Sequence, residues 1–482
     1  MDSVTKDLTP YKEFLSFFNS FFSDIKLRTL AFQTKFIVRS RKMHPELLMQ
    51  SLVAAFSSDK EFTLSSIYQD YKLRCKELDL PYMSWEPFYD FLQKKEFLAM
   101  IKELLNSVNA AALKGKFSDA AKLTEVLQKR IPKLKDILLQ DGSEVSTNCP
   151  KYKGAKDPQI KIHRTMSLTS MAETHRSVTS GVKSERDEIC VSTLKNKLLI
   201  ADAGYPANHL FYKIDKNGGY FLIKIRTNSA MQVTSAVRFK SDGTVEKQDV
   251  ILKDQEHRYG EHLKSPKFCD GCNHDFKVKV RLREDESKDC VDYSYRVIKV
   301  YLSEEELREN DQQVNIETYE SRGKTYRRYF VLLATNLPCD TVDLMQLAEL
   351  YRARWSIEIS FRMLKGFCGF KRTLTKDPTL AKALVYVSEL VYALKLLFAQ
   401  QLEKLTQEQL SPKKTFHYMT NAMQSILFSL KATRKALKLL QGLVEVASKW
   451  TKSKCSYINR TRGKAMSIII DKISQPPILI PE

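Results

Sequence analysis

Tyr351-Arg352-Ala353-Arg354-Trp355-Ser356-Ile357-Glu358-Ile359-Ser360-Phe361-Arg362-Met363-Leu364-Lys365 contains neither Gly nor Pro and reads as one helix. At about 100° per residue, Tyr351, Arg354, Glu358 and Lys365 fall within an arc of about 60°. Leu350, Ala353, Ile357, Phe361 and Leu364 gather on an adjoining arc, as on a helix seated against a core. One narrow stripe therefore carries a phenol, two cations and a carboxylate. Arg354 and Glu358 alone, at i and i+4, would be a solvated pair contributing about 0.2–0.5 kcal/mol. The whole column suits a different task, that of a carboxylate ringed by phosphate-seeking groups and holding a metal ion beside nucleic acid.

The chain that carries this stripe is strongly basic. Its 78 Lys and Arg against 57 Asp and Glu give a net charge of +21, a field that attracts polyanions. The excess is not confined to a tail: residues 380–482 hold 16 Lys and Arg against 6 Asp and Glu, a surplus of ten, in a stretch that reads as helical. Basic groups on folded surface point to duplex nucleic acid. A length of 482 residues suits about two to four domains. Nine cysteines, an odd number, and no apolar leader after Met1-Asp2-Ser3 predict a reducing compartment, cytoplasmic and, in a prokaryote, nucleoid-associated, with no disulfide framework. The most apolar segment, Ala383 to Leu397, is short and interrupted by Glu389 and Lys395. It is expected to be a buried helix, and no membrane partner is expected.

Two apolar runs upstream each deliver an aspartate. Asp136-Ile137-Leu138-Leu139-Gln140-Asp141-Gly142-Ser143 reads as a buried strand ending at Asp141 in a Gly-Ser turn, and Lys197-Leu198-Leu199-Ile200-Ala201-Asp202 repeats the pattern before a helix over Asn208 to Ile214. Each has a plainer reading: Asp141-Gly142 as a hairpin turn, and Asp202 as an acidic residue stabilised by a helix dipole. With Glu358 they make three carboxylates on rigid elements, which repel one another at close range unless cations neutralise them. That is the arrangement that holds two Mg²⁺ about 3.5–4 Å apart for in-line phosphoryl transfer.

The rest of the chain divides by pattern. Residues before about 130 carry helical periodicity, including Pro45 to Phe56, Thr63 to Cys75 and Ser84 to Leu92, the last two separated by Leu80-Pro81. That spacing fits either a helix-turn-helix or an ordinary helical bundle. Strands are expected over Lys161 to Ser170, Arg176 to Val182 and Tyr220 to Arg226, followed by a β-rich stretch with Lys277 to Arg283 and Arg296 to Leu302. Tyr329 to Asn336 resumes a buried-strand signature, and Thr341 is the expected N-cap of the helix that follows. Basic helices are expected over Leu380 to Leu402, Phe416 to Leu430 and Lys431 to Ala447, before a tail at Pro476-Pro477. Cys269, Cys272 and His274 have zinc-like spacing, but a structural site takes four ligands and no second Cys-x2-Cys is present. A turn with incidental thiols is the expectation there, not structural Zn²⁺.

Taken together, the acidic blocks and the helical stripe resemble a known family, the cut-and-paste DDE transposases of the insertion-sequence-four group, whose hallmark is Tyr-x2-Arg-x3-Glu-x6-Lys. Tyr351, Arg354, Glu358 and Lys365 match that spacing without a gap. The blocks around Asp141, with Asp136 as its alternative, and around Ala201-Asp202-Ala203-Gly204-Tyr205-Pro206 resemble the family's other two acidic blocks. The resemblance implies an α/β protein with an RNase H-like catalytic core interrupted by a β-rich insertion and flanked by N-terminal and C-terminal helical domains. The expected boundaries are a helical DNA-binding domain at 1–130, core at 131–226, insertion at 227–328, core with the catalytic helix at 329–372, and a basic helical region for dimerisation and DNA contact at 373–482. It further implies Asp141, Asp202 and Glu358 as catalytic, metal-binding residues, and Tyr351, Arg354 and Lys365 as DNA contacts; relatives flip a base onto an aromatic, and Trp355, which the motif does not specify, is the candidate for it by its nearness in sequence. The implied cofactor is a pair of Mg²⁺ ions, for which Mn²⁺ substitutes. The implied partners are double-stranded DNA, as inverted-repeat ends and as target, and a second copy of the chain in a synaptic complex. The activity implied is cleavage of the element's ends and transfer of their 3′-hydroxyls to target DNA. Two other readings fit the same residues: a transposase-derived DNA-binding inhibitor or repressor without turnover, and an RNase H-like structure-selective nuclease.

Overall fold

The computed structural model describes residues 9–39, 41–58, 61–149, 159–181, 183–184, 186–205, 207–227, 231–240, 244–249, 263, 268, 271–283, 290–302, 315–321, 324–370, 375–407, 410–429, 438, 442 and 461–478. The helices in chain order are α1 (Thr9–Phe22), α2 (Asp24–Gln33), α3 (Pro45–Ser57), α4 (Leu64–Glu77), α5 (Trp85–Leu92), α6 (Lys95–Ala112), α7 (Ser118–Arg130), α8 (Asn208–Lys216), α9 (Leu344–Tyr351), α10 (Trp355–Phe367), α11 (Pro378–Thr406), α12 (Pro412–Ser429) and α13 (Thr461–Ser474). The strands are β1 (Asp136–Ser146), β2 (Gln159–Ser167), β3 (Glu173–Ser180), β4 (Lys197–Ala201), β5 (Tyr220–Lys224), β6 (Gln232–Phe239), β7 (Val245–Asp249), β8 (Asn273–Arg283), β9 (Cys290–Tyr301), β10 (Asn315–Ser321) and β11 (Lys324–Thr335). Of the expected helix over Lys431 to Ala447 only Lys438 and Gly442 are among the described residues, and Cys269 lies outside them. The chain clusters into two compact units, the first made of Met1–Ser118, Gly142–Lys183 and Ile357–Lys464, the second of Asp119–Asp141, Ser184–Ser356 and Ala465–Glu482.

The first unit is built mostly of helices. Pro45 opens α3 at its first turn, where a missing backbone N–H costs nothing. Thr63 and Ser66 cap α4 reciprocally, each hydroxyl accepting from the other residue's backbone N–H at 3.0 and 2.9 Å, a capping box. Helix α11 is the centre of the unit and packs on α6, α3 and α12. It has no polar stripe, and Ala383 through Leu397 are all buried within it, as its apolar run predicts. The two charges within that run are matched internally: Lys395 donates to the carbonyl oxygens of Ser57 and Phe367, and Glu389 pairs with Arg164. No helix among the described residues is long and apolar enough to cross a membrane. Strands β2 and β3 form an antiparallel pair from Ile160↔Ser180 to Met166↔Glu173, with an irregularity at Thr165/Met166. Next to β2 runs the later part of β1. Strand β3 starts at Glu173, three residues before the expected Arg176.

The second unit is a sheet with helices. The first part of β1 lies parallel to β4, from Asp136↔Lys197 to Gln140↔Ala201, and β4 lies parallel to β5, from Leu198↔Tyr220 to Ala201↔Ile223. Beyond β5 the order is β11, β9, β8, β6 and β7 with antiparallel pairing, and β10 pairs with β11. The β-rich stretch therefore contributes its strands to the same sheet, since β9 runs along β11 from Arg296↔Thr335 to Tyr301↔Phe330. Leu138, Leu199, Phe221 and Ile223 share one core with Phe276, Val297 and Leu332. Helix α8 joins it through Phe211, whose ring stacks on Phe221 with centroids 4.6 Å apart.

Two local expectations change here. The Asp141-Gly142-Ser143 stretch does not turn: β1 continues to Ser146. Ser143, Val145 and Thr147 are buried while Glu144 and Ser146 are exposed, a period-two pattern that keeps the chain extended. The N-cap of α9 is Asp343 and not Thr341, because Asp343 Oδ1 accepts the Gln346 N–H at 2.9 Å and Oδ2 accepts the Ile478 N–H at 3.0 Å.

Candidate active site

The register of the parallel strands fixes where the first two acids stand. Gln140, Ala201 and Ile223 are the last paired positions across β1, β4 and β5. One residue further along each strand come Asp141, Asp202 and Lys224. Successive side chains in a strand alternate faces, so these three share one face, opposite that of Gln140, Ala201 and Ile223. They stand just past the carboxyl end of the parallel pairing, the end at which open α/β sheets bind ligands, although β1 itself runs on to Ser146. All three are half-buried. Asp136, the alternative carboxylate, sits at the other end of β1 opposite Lys197, with its Oδ1 accepting the Ile137 N–H at 2.8 Å.

Strand β4 is apolar and fully buried from Leu198 to Ala201, which holds Asp202 rigidly at its exit. Asp202 Oδ1 accepts the Gly204 N–H at 2.8 Å, so the turn that follows orients the carboxylate. Lys224 is the residue that the sequence reading passed over, taken there as part of a core strand. Burial, with the Arg354 guanidinium nearby, pushes its ammonium below the usual lysine range, and Asp202 pulls it back up. The signal was available: Lys224 follows Tyr220-Phe221-Leu222-Ile223 as Asp202 follows its own apolar run.

The stretch from Tyr351 to Lys365 is not one uniform helix. Helix α9 ends at Tyr351, Arg352 to Arg354 form a 3₁₀ turn, and α10 starts at Trp355. In a 3₁₀ turn positions i and i+3 eclipse one another, which sets Arg354 over Tyr351, its Cζ 5.8 Å from the ring centroid. Arg354 and Tyr351 are half-buried and Trp355 is 37% exposed. Glu358 and Lys365 follow on α10, the first in its opening turn and half-buried, the second exposed.

The second unit thus brings together Asp141, Asp202, Lys224 and Arg354, with Tyr351 against Arg354. Glu358 and Lys365 belong to the first unit. Among the described residues no group of three or more His, Cys, Asp or Glu is placed to hold a metal ion. Two adjacent carboxylates do fit Mg²⁺, which keeps several waters and takes one or two carboxylates together with substrate phosphates. At the Cys-x2-Cys segment, Cys272 Sγ lies 3.7 Å from Glu246 Oε2, and His274 Nδ1 is 2.8 Å from the Cys272 carbonyl oxygen.

A family model described as the transposase DDE domain matches residues 132–394, more than half of the chain. The transposase for insertion sequence element IS421 of Escherichia coli is 38% identical over 83 residues, 17% of this chain and 21% of that protein. The transposase for IS231E of Bacillus thuringiensis subsp. finitimus is 28% identical over 186 residues, 37% of this chain and 36% of that one. The transposase for IS1151 of Clostridium perfringens is 22% identical over 330 residues, 60% of this chain and 65% of that one. The match spans about a fifth of the length of the first of these relatives, and less than two thirds of each of the others. Among solved structures, a piggyBac transposase synaptic complex with hairpin DNA covers 90% of this chain and 84% of its own at a TM-score of 0.39 and 9% identity, too distant for a shared fold to follow. Because the domain model runs through both aspartate-bearing strands and on to residue 394, the chain belongs to the transposase DDE-domain family.

Proposed function

We propose that this protein is a cut-and-paste transposase of the insertion-sequence-four group. In this reading it binds the inverted-repeat ends of its own mobile element as a homodimer, cleaves them by metal-dependent phosphodiester hydrolysis and transfers the 3′-hydroxyl ends to target DNA. The observation that carries the reading is the pair Asp141 and Asp202, side by side one residue past the last paired positions of the parallel β1–β4 ladder. The antiparallel β2–β3 pair of the first unit and the parallel β1, β4 and β5 of the second support an RNase H-like core.

Asp141, Asp202 and Glu358 are the proposed carboxylate ligands of two Mg²⁺ ions. Bound divalent cations would lower the pKa of the attacking water or 3′-hydroxyl and stabilise the leaving oxygen. The chain's own part is to position the phosphodiester. Arg354 presents a planar guanidinium to phosphate oxygens, held at its angle by the Tyr351 ring. Lys224 adds a second cation on the face that carries the two aspartates, and Lys365 a third from α10. Trp355, with over a third of its surface open, is the proposed platform for an unstacked base.

Purified protein, a labelled element end and Mg²⁺ test this directly. The protein should nick the end and join it to target DNA, whereas Asp141→Asn, Asp202→Asn and Glu358→Gln should bind without cutting. Binding without nicking by the unaltered chain would leave an inhibitor or repressor. Nicking without joined product would leave a structure-selective nuclease.

A further inference from the structure

Within the first unit, α6, β3 and α11 border a cavity of about 340 Å³ lined in part by Lys102, Asn106, Glu173, Arg176 and Tyr386. Its cations are held in place. Lys102 Nζ lies 5.0 Å from the centroid of the Tyr386 ring and Arg176 Cζ lies 5.6 Å from the same ring, so two positive groups share one aromatic wall. Arg176 is fixed further by Glu173 at 2.5 Å and by Asn106 Oδ1 at 2.6 Å. Burial pushes the Lys102 ammonium below the usual lysine range, and the charges of Lys382 and Arg176 push it further. Lys382, on α11, is thus a third cation within electrostatic reach.

The charge count around the cavity does not close. Beneath it the enclosed guanidinium of Arg164 lies against Glu173 and Glu389. Four cations, Arg164, Arg176, Lys102 and Lys382, therefore face two carboxylates, Glu173 and Glu389, a surplus of two positive charges. Like charges gathered this closely repel unless an anion joins them, and paired Lys and Arg donors around a polar hollow match phosphate oxygens.

We propose that this cavity binds a phosphate-class dianion, held by Lys102 and Arg176 with Lys382 strengthening the field. The site is independent of the aspartates at the strand ends. Its ligand is either a backbone phosphate of nucleic acid or a free phosphate ester, and the two sources share the chemistry that the cavity recognises.

Titration calorimetry of the full chain with inorganic phosphate, in chloride buffer at low ionic strength, is the test. Saturable one-to-one binding is expected, weakened at least about tenfold by Lys102→Gln and further by adding Lys382→Gln. Lys102→Arg, which keeps the charge, should retain binding, and Asp202→Asn should leave it unchanged. Arg176 is left intact because it also anchors Glu173. Matching unfolding midpoints would show that the glutamine variants are folded. Duplex DNA that displaces the phosphate would assign the ligand to nucleic-acid backbone, and duplex bound without displacement would assign it to a free ester. Heat that never saturates, or a folded double variant that binds phosphate like the parent, would overturn the site.

Discussion

Two charge clusters, one in each unit, are built in opposite ways. In the first, Arg164 is fully enclosed, with its Nε 2.7 Å from Glu173 Oε1, its Nη2 on Glu389 and its Nη1 donating to Ser360 Oγ at 3.1 Å. Its guanidinium also lies over the Tyr392 and Phe361 rings, at 4.5 and 5.0 Å. In the second, Asp141, Asp202, Lys224 and Arg354 are all half-buried, the first three just past the end of the parallel pairing and the last in a turn. The same side-chain types hold a core together in one place and stand ready for an external partner in the other. What separates them is enclosure: a charge sealed among fixed partners is structural, whereas one left at the mouth of a rigid sheet can still take a ligand.

The largest expected effect sets the contrast at the strand ends. Asp202→Asn should reduce end cleavage by about a thousandfold or more while the thermal unfolding midpoint stays within a degree or so of the parent's. A midpoint that fell sharply would make Asp202 a structural charge like Arg164. The opposite pattern belongs to Arg164→Met, which strands two enclosed carboxylates. It should cost about 3–5 kcal/mol in denaturant unfolding, and a loss below about 1 kcal/mol would mean the network relaxes without its centre.

The pH dependence of the first unit follows from the same network. Burial alone would push the Glu173 carboxyl up, but Arg164 and Arg176 outweigh it and hold it at about 2. A depressed folded-state pKa contributes stability that is present above the unfolded value of about 4.3 and is lost as pH falls towards the folded one. Acid unfolding monitored by circular dichroism should therefore steepen below about pH 4, and Glu173→Gln should flatten that limb. The smallest effect is expected at Lys224. Lys224→Met should weaken binding of the element's end about tenfold and lower the salt slope by about one, and Lys224→Arg should restore both. An unchanged slope would place Lys224 outside the DNA path.

Much of this was legible locally. The apolar run before Asp202, the buried character of Ala383 to Leu397 and the opening of α3 at Pro45 all depend on neighbours in sequence. What was not legible depends on pairing between distant segments. Nothing near Lys224 says that β5 lies beside β4 in the register that brings it level with Asp202, so a lysine closing an apolar strand read as incidental. Gly142-Ser143 predicts that the strand ends at Asp141 in a turn, although the alternation through Val145 points to continued strand. Asp343 outcompeted Thr341 as a cap because a carboxylate accepts two backbone N–H groups at once, one of them from Ile478, far along the chain. The Arg164 network draws on β2, β3 and α11 together, and no single stretch of sequence announces it.

The short 3₁₀ turn at Arg352–Arg354 works as a ruler. Wound at three residues per turn, it returns to the same angular position after three steps, so a phenol and a guanidinium three apart come to lie in one line, where an α-helix would leave them about 60° out of phase. A single residue added between Tyr351 and Arg354 would break that alignment while leaving both side chains present. Spacing, as much as identity, is therefore what a change in this segment would damage.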